Sequence, residues 1–157
     1  MIAKIKVSAL STSLLLLFVL FTVQFLLGMA QNLLVMLPMT TFPQNNSSFL
    51  TAFFYVITDG NLVLNSHFFI DMAIIVVAAL NLALVIHKSN VYKVFSIIGF
   101  ISILYAFVSG VRFAASNFNL DAISFEMAAG FILAFITYLV MAMLNYRDIA
   151  IHAANAP

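Results

Sequence analysis

No cysteine occurs in the chain. That excludes disulfides, thiolate metal sites, a cysteine nucleophile and haem attached through thioethers. Tryptophan is also absent, so tyrosine must supply any aromatic belt at a membrane surface. The five glycines form neither a P-loop nor a dinucleotide-binding pattern, which leaves no phosphate cradle. There is no G-x-S-x-G and no Ser/His/Asp ordering, so nucleophilic catalysis has no motif to stand on. Charge is scarce as well: 7% of residues are charged and the net charge is +1, against about 25% charged residues in an average soluble domain. A chain without a basic patch does not bind nucleic acid.

What is present is apolar. Hydrophobic residues make up 65% of the 157 positions, 17 of them Phe. A fold of this length cannot hide that much apolar surface from water, so the solvent it requires is lipid. A spanning helix needs about 20 mainly apolar residues, and four segments qualify, at about 9–37, 66–87, 92–115 and 122–145. Strands of a membrane barrel would alternate apolar and polar residues, and these runs do not. The reading is an all-α, four-transmembrane-helix bundle forming one integral membrane domain over 1–157. "GMA" before Gln31 gives the first span some likeness to a signal peptide, but the apolar run continues past it to Leu37, as a span does.

Lys4, Lys6, Lys88, Lys93 and Arg147 fall on one side of such a bundle and Arg112 on the other. The positive-inside rule then places both termini in the cytoplasm of a multi-pass protein of the cell membrane. The long outer loop, 38–65, opens with the turn-forming "PMTTFPQNNSS", in which Asn45 and Asn46 fit the glycosylation acceptor pattern. It continues with "FLTAFFYVI", which is too short to span and reads as an interfacial helix over the bundle's outer end. The tail "RDIAIHAANAP" reads as short and frayed.

Ionisable groups at bilayer depth are costly and so mark function or specific pairing. Here they gather. Gln24, Gln31 and Asn32 lie on the first span, His67 and Asp71 on the second, Arg112 on the third and Glu126 on the fourth, all in the outer half. Gln24, Gly28 and Gln31 share one helical face, as do His67, Asp71, Ala78 and Asn81. Small-residue ridges at Ser102, Ala106, Gly110 and at Glu126, Gly130, Ala134 mark close-packing faces. Arg112 stays protonated and can pair with Asp71, Glu126 or both. Two carboxylates with one arginine then imply a shared proton, a charged His67 or a bound cation.

Three uses of this cluster follow. The leading one is non-enzymatic: a polar clasp in a small scaffold or accessory subunit, surrounded by lipid and joined to a larger membrane complex or to further copies of itself. The second is a b-type haem carrier with His67 and Met127 as axial ligands. The third is proton or small-solute translocation. His67, Asp71 and Glu126 are also metal-ligand types, but three ligands beside a repelling arginine make a poor site, and none is assigned.

Several stretches, "QFLLGMAQNLLVMLP", His67 opening the second span, "SGVRF" and "SFEMAAGFILAFITYL", resemble a broad group of small four-span membrane proteins of bacteria and archaea with no assigned function. The more distinctive positions are Gln24, Gly28, Asn32, His67, Gly110, Phe113, Ser124, Met127 and Ala128. Asp71 and Glu126 depart from the small or apolar residues that resemblance leads one to expect. It implies an architecture and no activity.

Overall fold

Only α-helix combines unbroken apolar runs with an internally hydrogen-bonded backbone in one segment. The computed structural model describes residues 8–34, 48–58, 62–116, 118 and 120–155, and it consists of α1 (Ala9–Leu34), α2 (Phe49–Thr58), α3 (Leu62–Leu84), α4 (Asn90–Ala115) and α5 (Asp121–Ala154). All but α2 are long and apolar enough to cross a membrane, and the chain is a multi-pass integral membrane protein. Residues 35–37 of the expected first span and the Asn45–Asn46 acceptor pattern lie outside the described residues.

Helix starts follow local chemistry. Ser8 accepts the Ser11 amide at 3.1 Å and Ser48 accepts the Thr51 amide at 3.2 Å, each satisfying one of the free donors of a first turn. Two boundaries differ from the sequence reading. α3 begins at Leu62 rather than 66, because residues 62–65, Asn65 among them, are taken into the helix instead of ending the loop. Asp71 is thereby nine residues, or about 13 Å, inside its helix. The tail does not fray as expected: α5 runs to Ala154, and the Tyr92 hydroxyl donates to Asp148 at 2.9 Å, tying the extension to α4.

The four long helices close a ring in the order α1, α3, α4, α5 and back to α1, and α2 lies across α3 and α4 at one end. α4 and α5 approach most closely. A Cβ added at Gly130 would meet the Ser102 carbonyl oxygen at 3.0 Å and the Ala106 Cβ at 3.1 Å, and one at Gly99 would strike the Tyr138 ring at 2.7 Å. The expected small-residue ridges are therefore the seam between these helices. The interior holds Leu17, Phe21, Ile74, Ala134, Tyr138 and Met141, all essentially inaccessible, with Phe21 edge-on to Phe131 at 5.4 Å. Large apolar side chains such as Leu26, Leu33 and Phe125 are instead more than half exposed, the surface that lipid covers.

Polar side chains cross-link the end away from α2. Asn81 of α3 donates to Ser13 of α1 at 3.0 Å and accepts from Ser96 of α4 at 3.1 Å. Asn145 of α5 donates to Ser11 of α1 at 2.8 Å. All four helices thus share one hydrogen-bonded belt.

Candidate functional site

At the α2 end, four helices and α2 leave a cavity of about 240 Å³. The helical face predicted on α1 positions Gly28 and Gln31 in its wall, and the face on α3 positions His67 and Asp71 there. Gly28 makes room: a Cβ at that position would lie 3.4 Å from the His67 ring. Gly110 does the same across the cavity, where a Cβ would lie 3.3 Å from the Met127 sulfur. The remaining wall is apolar. Val56 of α2 and Leu64 of α3 contribute to it, as do two ring pairs: Phe68 with Phe107 at 5.8 Å, and Phe113 with Phe118 at 5.4 Å.

Phe118 reaches this wall through unusual backbone. Its φ is +61°, a left-handed conformation that costs a non-glycine residue about 1–2 kcal/mol. The Phe118 amide donates to the Phe113 carbonyl at 3.0 Å, so the turn between α4 and α5 folds the second ring back onto the first. Strain of this kind persists only where the surroundings over-determine it.

The sequence grouped seven polar residues; the structure divides them. Gln24 is the hub of one set, its amide nitrogen donating to Asp71 Oδ1 at 2.5 Å and lying 3.1 Å from His67 Nε2. Arg112 and Glu126 form a second set, paired at 3.2 Å with about half of the arginine and a third of the carboxylate exposed. Among the described residues Arg112 makes no ion pair with Asp71. Of the pairings open to Arg112, the structure has the one with Glu126, for a geometric reason: Arg112 and Glu126 face each other across the α4–α5 seam, whereas Asp71 is drawn to α1 by Gln24. Nor do three acidic or histidine side chains converge among the described residues, since Glu126 is engaged away from His67 and Asp71. Gln31 joins neither set. Asn32 lies on α1, but its side chain is outside the described residues.

The hydrogen bonding around the cavity is incomplete. Gln31 is 8% exposed, yet neither its amide nitrogen nor its oxygen has a partner; Gln24 Oε1 and His67 Nδ1 are likewise buried and unpartnered. With Gln24 donating to Nε2, a neutral His67 carries its proton on Nδ1, so that atom is a buried donor. Unmade hydrogen bonds of this sort cost about 1–3 kcal/mol each. Two of these residues, Gln31 and His67, line the cavity, which is therefore a place for something that hydrogen-bonds.

Sequence reasoning missed the belt at the other end. Ser11, Ser13 and Ser96 carried no signal, because a serine in an apolar helix normally donates back to its own turn, as Ser13 does to the Leu10 carbonyl. Between belt and cavity the interior is closed by Leu17, Phe21 and Ile74, and Asp71 and Asn81 are ten residues, about 15 Å, apart along α3. No protein-family model, no curated protein and no solved structure matches this chain.

Proposed function

We propose that this chain is a small non-enzymatic membrane protein, of the accessory-subunit kind, that acts by holding a small molecule in the α2-covered cavity. One observation carries the reading: Gln31 and His67, with buried, unpartnered polar atoms, stand beside Asp71 in the wall of a cavity that is otherwise apolar. Binding sites have this composition, a mostly apolar enclosure with a few placed polar groups. The polar groups hydrogen-bond one another through Gln24 instead of forming a nucleophile–base pair, which favours holding over transformation. The apolar interior below the cavity weighs against passage of protons or solutes through the bundle. Gly110→Leu fills the cavity from α4 and provides the test. Organic extraction of the protein, purified in mild detergent, is expected to release one small molecule per chain from the native protein and little from the variant. Equal release from both overturns the proposal.

A second reading is favoured by the placement of His67 and Met127, which come from α3 and α5 and line the same cavity. They are the pair expected to ligate haem b. The donor types fit, but the space does not: about 240 Å³ is below the roughly 300–1,000 Å³ of pockets for drug-sized ligands, and a porphyrin lies at the large end of that class. An optical spectrum of the same preparation, oxidised and then reduced with dithionite, separates the two readings. A Soret band that His67→Ala removes establishes haem.

A further inference from the structure

We propose that the cavity takes a lipophilic organic cation, an ammonium bearing a single ring or short apolar arm, with Asp71 as its counter-charge. The inference rests on the binding role just described and names the chemistry of its ligand. Among the described residues Asp71 is the one formally charged side chain in the cavity wall. Among the described residues no lysine or arginine pairs with it, and Arg112 is engaged by Glu126. Its hydrogen-bond donor is the neutral amide of Gln24, which engages Oδ1 and leaves the charge uncompensated and Oδ2 open to another partner. A carboxylate at bilayer depth is costly until it is paired.

The rest of the wall suits a cation. The faces of aromatic rings carry negative electrostatic potential and attract ammonium groups, most strongly where water is excluded. Two aromatic pairs stand here, Phe68 with Phe107 and Phe113 with Phe118, and the Phe118 amide is hydrogen-bonded to the Phe113 carbonyl. Gln31 Oε1, buried and unpartnered, adds partial negative charge that favours a positive nitrogen. An anion would meet Asp71 with no compensating cation. A neutral ring with carbonyl oxygens could use Gln31 and His67 but would leave Asp71 as it is. The volume, about 240 Å³, admits one substituted ring and not several.

The test uses phenyltrimethylammonium and its uncharged equal in shape, tert-butylbenzene. Binding of labelled phenyltrimethylammonium to the full chain in detergent is measured by equilibrium dialysis, with tert-butylbenzene as a competitor and then as a labelled ligand. The expected result is one cation per chain, displaced at least about tenfold less well by tert-butylbenzene than by unlabelled cation. Asp71→Asn is expected to weaken cation binding by about tenfold or more, whereas Glu126→Gln, which removes a carboxylate at the same end, leaves it within about twofold. The comparison of the two probes on the unaltered protein needs no variant to fold. Equal binding of both probes, or an Asp71→Asn protein that binds the cation undiminished, overturns the cation inference and leaves the binding role intact. Failure of both probes to bind overturns the inference and the binding role together.

Discussion

Gln24 looks minor in the sequence, an uncharged amide among leucines, yet it joins α1 to both ionisable groups of α3. Its replacement by leucine removes the donor while leaving Asp71 and His67 buried. An abandoned partner costs more than the lost bond is worth, so Gln24→Leu is expected to destabilise the protein by about 1–3 kcal/mol. The double variant Gln24→Leu, Asp71→Leu removes both sides of the contact and is expected to be more stable than the single one. Thermal unfolding in detergent checks both, and a double variant weaker than Gln24→Leu contradicts the account. The sequence made this contact only half legible. Spacing placed Gln24 and Asp71 on interior faces, but formal charge pointed Asp71 toward Arg112, and only the packing of α1 against α3 decides between an amide and a guanidinium.

At the scale of elements, hydropathy locates the membrane helices but not their ends. Asn65 looks like the close of a loop, and Arg147 and Asp148 like the start of a tail, because polarity marks where a chain leaves lipid rather than where its backbone stops being helical. α5 has 34 residues, about 51 Å, and so projects well beyond a hydrocarbon core of about 30 Å. The hydrogen bond from Tyr92 to Asp148 is the contact that ties this projection to α4. Tyr92→Phe is expected to cost under about 1 kcal/mol overall, since Asp148 is partly exposed, and to speed amide exchange in the last two turns of α5 alone. Uniform acceleration along the helix contradicts that. The α4–α5 seam is less forgiving. Gly130→Ile drives a branched side chain onto the Ser102 carbonyl and Ala106, backbone and Cβ that cannot swing aside, and is expected to cost about 1–3 kcal/mol or more, read as a lower unfolding temperature.

Taken whole, the molecule has two differently built ends, a cross-linked belt and a partly unsatisfied cavity under α2. The positive-inside expectation assigns the belt end to the cytoplasm and the α2 end to the outside, and it is open to test. The chain lacks cysteine, so single cysteines report without background. In intact cells Asp121→Cys, at the α2 end, is expected to react with an impermeant maleimide, and Ser89→Cys, in the turn at the belt end, only after lysis; the reverse pattern inverts the topology. The four-helix architecture was legible because lipid demands long apolar segments. The belt was not, because Ser13 and Ser96 advertise nothing until Asn81 stands between them. Sequence separation within the Gln24–Asp71 contact has a consequence for biogenesis. The two residues are 47 positions apart, so at about 5–20 residues per second the ribosome leaves Gln24 waiting roughly 2–9 s for its acceptor. Thr12, Ser13 and Thr22 of α1 can donate to their own helix meanwhile. Gln24 has no such bond to its own helix, which makes it a group in α1 that must hold water or the insertion machinery until α3 arrives.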